Sequence, residues 1–143
     1  MSLSFVGDWS PSEPLNGMCS ELCIGNLECA FAHGEIASGE AYTSVLPIEC
    51  IDNVEGGGLA ALSLANNHVY DAGDGTFLDM RQRLARMCPG VQFFGTVDKP
   101  YAALEDCGRR IAVIGSLEPW KNIFKEESIE TLINLNSLLP NLG

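Results

Sequence analysis

Three short polar clusters in this chain each follow a run of apolar residues. They are Gly7-Asp8 after "LSFV", Asn26-Leu27-Glu28 after "LCIG", and Asn66-Asn67-His68 with Asp71 after "LAALSLA". Carboxylate and amide oxygens beside an imidazole suit a divalent cation such as Mn²⁺, Mg²⁺, Fe²⁺ or Zn²⁺. In that chemistry Asp8 and Glu28 supply anionic oxygens and Asn67 supplies a neutral carbonyl oxygen. An asparagine there keeps the site from becoming too negative for an anionic substrate. His68 can stabilise charge on a phosphoryl or carboxyl oxygen, or protonate a leaving group. Asp71 is placed to hold that imidazole in one orientation. Each cluster also has a plainer reading. Gly-Asp is a common turn, and Asn66-Asn67 suits left-handed backbone and side-chain turns. Their occurrence together is what points to a site.

For these groups to meet, the apolar runs before them must be neighbouring strands. "LSFVGD" reads as a first strand, "ELCIGNLE" as a second and Leu59 to Ala65 as a third. Between them "WSPSEPLNGM" is turn-rich, and His33 to Thr43 reads as a polar, glycine-containing loop with His33 solvated. Pro47 to Val54 opens a helix that Gly56-Gly57-Gly58 closes. "DGTFLDMRQRLARMC" has helical spacing in Phe77, Leu78, Leu84 and Met87, with Asp74 or Thr76 as its cap and Pro89-Gly90 as its stop. "VQFFGT" is a fourth strand. "YAALEDCGRRIAVIGS" is a hairpin, and its "IAVIG" is the strongest strand pattern of all. Ile129, Leu132, Ile133 and Leu135 give the tail from Glu126 to Leu139 helical spacing. Strands alternating with helices predict an α/β fold with a mostly parallel sheet, in which functional groups gather at the carboxyl ends of the strands. Trp9, beside Asp8, reads as a packing residue at the rim of such a cleft.

Composition narrows the classes of function. The chain has 143 residues, the size of one domain, and is 46% hydrophobic and 19% charged, which fits a packed core rather than disorder. Its formal net charge of −11 repels nucleic-acid phosphates, so DNA and RNA are excluded as expected partners. An anionic substrate therefore needs positive charge in the site, which a metal ion would bring. No apolar run reaches the ~20 residues of a membrane span, and "MSLSFVGDWS" has no secretory-leader pattern; as it stands, the chain reads as soluble. Six cysteines occur without any CxxC pair, and are read mostly as reduced, buried small side chains. No GxGxxG follows the first strand, which argues against a flavin or nucleotide site.

The stretches "FVGDWSP", "IGNLECAF", "SLANNHVYDAGDGTFLDMRQRL", "FFGT" and "RRIAVIGS" follow one another as in the bacterial capsule-synthesis CapA and poly-γ-glutamate biosynthesis family. That family resembles a branch of the calcineurin-like metallophosphoesterases. The resemblance runs from about Leu3 to Leu117, within a single domain over 1–143, and leaves the tail 118–143 unmatched. It implies an α/β/β/α sandwich, of which this chain carries the N-terminal part. It also implies a dinuclear divalent-metal centre with Asp8, Glu28 and Asn67 as ligands. Asn26 and Asn66 would be supporting residues, and His68 would face the substrate with Asp71 behind it.

Two departures from the pattern matter. Where the wider superfamily places a histidine two residues after the first aspartate, this chain has Ser10, as is usual in the capsule-synthesis branch. No histidine follows His68, so Asp8, Glu28, Asn67 and His68 alone cannot complete a dinuclear centre. Two functions follow from the resemblance. One is metal-dependent hydrolysis or transfer at a phosphoester or amide bond, acting on a phosphoester or an anionic polymer. The other is a non-catalytic module that binds polymer or partner proteins in a membrane-associated polymer-synthesis complex at the cell envelope. The tail after Leu117 either completes the sheet or swaps with a second copy to form an oligomer.

Overall fold

The computed structural model describes residues 3–15, 22–33 and 44–115. Its centre is a four-stranded sheet of β1 (Leu3–Trp9), β2 (Leu22–Leu27), β5 (Ala61–Ser63) and β6 (Gln92–Phe94), in the order β1-β2-β5-β6. All three pairings are parallel. The strands predicted to carry the polar clusters are therefore direct neighbours, and their carboxyl ends share one edge. β3 (Ala30–Ala32) and β4 (Val45–Pro47) form a separate parallel pair, and β7 (Tyr101–Asp106) and β8 (Arg109–Ile114) form an antiparallel hairpin. The chain is a mixed α/β protein with a parallel sheet, consistent with part of a metallophosphoesterase-like domain.

Side-chain alternation along the strands decides what covers each face. Cys23 and Leu27 of β2 and Leu62 of β5 join Ile51, Val54, Met80 and Leu84 in one core under the helices α1 (Ile51–Gly56) and α2 (Asp74–Met87). The alternate residues Ile24, Ala61 and Phe94 face the other way and pack on Ala102 and Leu104 of the hairpin. Helices, parallel sheet and hairpin thus stack in that order. Trp9 belongs to the helix-side core and is 8% exposed, so it is buried packing rather than rim.

The predicted elements hold with adjustments. The third strand is shorter than Leu59 to Ala65. Its flanks still pair, since Ala60 N–H donates to the Cys23 carbonyl at 2.8 Å and Leu64 N–H to the Phe94 carbonyl at 2.7 Å. The helix predicted from Pro47 begins as a 3₁₀ turn, Ile48–Cys50, and continues as α1. Neither Asp74 nor Thr76 caps α2. Gly73 takes the cap position with φ of 90°, and the N–H groups of Thr76 and Phe77 donate to its carbonyl at 3.1 Å. A backbone conformation that glycine adopts freely thus starts the helix ahead of both predicted caps.

The hairpin is less buried than its apolar sequence predicts, because only Ile111 and Val113 of β8 turn towards the sheet. His33 is exposed, as expected. The reading of the cysteines needs two corrections. Cys29 and Cys88 are buried thiols and Cys50 a half-buried one, whereas Cys23 is disulfide-bonded. Cys107 also departs from the buried pattern, standing exposed in the hairpin turn at φ 51°. Disulfide pairing depends on the approach of Cβ atoms in space, which sequence spacing does not reveal. Burial pushes the Cys29 thiol up to about 12 and the Cys88 thiol up to about 11, so both are inert packing groups. The tail helix predicted over 126–139 and most of the loop to Thr43 lie outside the described residues.

Candidate functional site

Asp8 reaches the carboxyl edge through an irregularity in β1. The register with β2 shifts between Phe5 and Gly7, and Gly7 sits at φ 71°, which a residue with a Cβ adopts only with strain. Beyond the shift Asp8 pairs with Asn26, and its exposed carboxylate accepts a hydrogen bond from Asn26 Nδ2 at 2.8 Å. The same nitrogen donates to Glu28 Oε2 at 2.9 Å. Asn26 is therefore an amide clamp between two acids. Facing two acceptors, it must present its NH₂ group to them. Its Oδ1 is left buried without a hydrogen-bond partner among the described residues. Glu28 is held just past β2 by its own N–H, which donates to the Trp9 carbonyl at 2.9 Å. Burial, then the nearby Asp8 charge, push the Glu28 carboxyl above the ordinary range, against the opposing pull of His68 and Asn26.

The third cluster is a 3₁₀ turn, Asn67–Tyr70, entered from Asn66. Asn66 is buried and fully used. Its Oδ1 accepts from the N–H groups of His68 at 2.7 Å and Val69 at 3.1 Å, while its Nδ2 donates to the Leu27 carbonyl at the end of β2. This ties the turn to the neighbouring strand and caps its first donors. Val69 anchors the turn in the helix-side core. His68 Nδ1 lies 2.7 Å from Asp71 Oδ2 and its Nε2 lies 3.6 Å from Glu28 Oε1. A carboxylate oxygen only accepts, so the ring proton of this pair sits on Nδ1.

Asp8, Asn26, Glu28, His68 and Asp71 are thus brought into one connected cluster, with Asn66 behind it as scaffold. Asn67 stands exposed at the start of the turn and makes none of these hydrogen bonds among the described residues. Sequence reasoning missed Ser44. Its backbone N–H donates to Asp71 Oδ2 at 2.6 Å and its hydroxyl to the Glu28 carbonyl at 2.7 Å. No motif marks it; only the pairing of β3 with β4 brings it there.

A family model described as "Bacterial capsule synthesis protein PGA_cap" matches residues 4–128. The chain belongs to this family. Its place there makes it a capsule synthesis-type protein, and the ordered motifs from "FVGDWSP" to "RRIAVIGS" lie inside the matched span. No curated protein and no solved structure matches the chain. The cluster's fit to the divalent metal that the sequence motifs imply is partial. Asp8 and Glu28 are hard oxygen donors of the kind Mg²⁺ and Mn²⁺ take, and the orphaned Asn26 Oδ1 leaves an amide oxygen uncommitted beside them. Yet no group of three or more His, Cys, Asp or Glu among the described residues is arranged to hold a metal ion. Asp71, the third acid, is already engaged by His68 and Ser44. No described helix is long and apolar enough to cross a membrane.

Proposed function

We propose that the carboxyl edge of the parallel sheet is a divalent-metal-dependent site for hydrolysis or transfer at a phosphoester or amide bond in capsule-type polymer synthesis. The observation that carries this reading is the convergence of Asp8, Asn26, Glu28, His68 and Asp71, joined by hydrogen bonds and by the 3.6 Å contact of His68 Nε2 with Glu28 Oε1. Asp8 and Glu28, with the Asn67 amide, would hold the cation. When bound, such a cation supplies Lewis acidity and lowers the pKa of a coordinated water. His68 is held through Nδ1 by Asp71, which leaves Nε2 as the atom that gives or takes a proton at an oxygen of the reacting group. Asn26 keeps the two carboxylates together while the cation is away. The substrate class is an anionic polymer or a phosphoester. With 19 acidic against 8 basic residues, the chain favours such a ligand only where local positive charge offsets its own field.

A second reading is favoured by one observation. Asp71 is committed to His68 and Ser44, Asp8 and Glu28 share the Asn26 amide, and no group of three or more His, Cys, Asp or Glu among the described residues is arranged to hold a metal ion. On that reading the domain binds polymer or a partner protein without turnover. Metal content separates the two. Purified protein, before and after incubation with Mn²⁺, is assayed by elemental analysis beside Asp8→Ala and Asn67→Ala. Near-stoichiometric metal that falls in both variants is the expected result. A metal-free parent after Mn²⁺ incubation rejects the cation-dependent reading in favour of the binding module.

A further inference from the structure

We infer that Ser44 is a positioning residue that sets which nitrogen of His68 faces the substrate and how far Glu28 stands from it. The inference rests on the proposed reading of His68 and extends it to a residue outside every motif of the sequence. All three polar groups of Ser44 are committed. The N–H donates to Asp71 Oδ2 at 2.6 Å, the hydroxyl donates to the Glu28 carbonyl at 2.7 Å, and the carbonyl accepts from Ala30 N–H at 2.8 Å. One half-buried residue therefore joins the exit of β2 to the turn that follows β5.

The two arms act on different parts of the cluster. Asp71 Oδ2 takes the Ser44 N–H and the His68 Nδ1–H on the same oxygen, so the carboxylate cannot swing without losing both. Hydrogen bonds to a carboxylate are shorter and stronger than neutral ones, which makes this the stiffer arm. With Asp71 fixed, the ring keeps its proton on Nδ1 and offers Nε2 towards Glu28 Oε1. The hydroxyl arm fixes the other partner: it holds the Glu28 main chain and so the 3.6 Å gap between Oε1 and Nε2. Ser44 reaches both because β4 starts immediately after it and pairs in parallel with β3, Ala30 against Val45, two residues beyond Glu28. Nothing in "YTSVLP" signals this.

The test is NMR on the ¹⁵N-labelled full chain, which contains only two histidines, so that His33→Gln assigns the rings. In the parent, the neutral His68 ring is expected as a single tautomer protonated on Nδ1. The Ser44 amide proton is expected to be shifted downfield and to exchange at least about tenfold more slowly than in Asp71→Asn, a factor equal to about 1.4 kcal/mol. Ser44→Ala removes only the hydroxyl arm. It is expected to move the His68 Nε2 resonance, and Ser44→Thr to restore it. A Ser44 amide indifferent to Asp71→Asn, or His68 resonances unmoved by Ser44→Ala, overturns the inference. These readouts need neither metal nor turnover. A protein that binds no Mn²⁺ but shows them loses the proposed chemistry and keeps the brace.

Discussion

Two neighbouring strands of the same sheet, β5 and β6, are three residues long, run in the same direction and end at the same edge, yet their ends do opposite things. β5 opens into a turn in which the Asn66 side chain bonds the neighbouring strand end and the His68 ring bonds Asp71, while Asn67 stands exposed. β6 closes on Gly95, against which the exit of β8 is pressed: a Cβ on Gly115 would lie 2.6 Å from the Gly95 Cα. A Cβ on Gly95 would lie 2.8 Å from the Ala65 Cβ. The carboxyl edge of a parallel sheet is therefore only an opportunity. It becomes a site where backbone groups leave room for side chains, and it becomes core where another element crosses over it.

That contrast can be broken most strongly at the closed end. Gly95→Val puts a branched side chain into backbone at φ 87° and into the space of Ala65 and Ser63. Left-handed strain and overpacking together predict a loss of roughly 2–5 kcal/mol in urea unfolding. A variant as stable as the parent would show that the two strand exits do not meet. A smaller loss is expected at the scaffold of the open end. Asn66→Ala removes the cap on two N–H groups and strands the Leu27 carbonyl, predicting about 2–3 kcal/mol by the same measurement. A change below ~0.5 kcal/mol would put the turn's stability elsewhere.

The smallest effect has the opposite sign and sharpens the comparison, because it marks the open end as chemistry held at a cost. Glu28 has its carboxyl raised by burial and by Asp8. Between the ordinary carboxylate value and that raised value the folded protein binds more protons than the unfolded chain, so stability falls as pH rises through the window. Glu28→Gln removes this term. Its thermal midpoint is expected to exceed the parent's at pH 7, with the gain vanishing at about pH 3, where both states are protonated. A variant less stable than the parent at pH 7 would assign Glu28 a stabilising ion pair with His68 instead.

How far the sequence could be read differs from residue to residue. His68 and Asp71 were legible as a pair because a three-residue separation on a tight turn brings the side chains together, and Asp71 Oδ2 does lie 2.7 Å from the ring. Asp8, Asn26 and Glu28 were legible only as strand-end residues. Their meeting required β1 and β2 to be adjacent, which apolar runs alone do not state. Asn26 is the sharper lesson. Its type gave no sign that it would donate to two acids and leave its oxygen unpaired, since that depends on both carboxylates standing on the same side of it. Asp74 and Thr76 were misjudged as caps because capping statistics weigh side chains, while Gly73 satisfied the helix start with its backbone.

By itself the sequence determined what is local or periodic in this protein: the apolar runs that become strands, the helical spacing of α2, the turn at Asn66, and the ordered motifs that place the chain in the capsule synthesis family. Such features depend on neighbours a few residues apart, where chain connectivity leaves little freedom. The tertiary structure alone decided which strand ends stay open, that Ser44 braces Glu28 and Asp71 across 16 and 27 residues of sequence, and that Gly95 and Gly115 touch. These contacts join segments that only sheet order and layer packing bring within ångströms of each other.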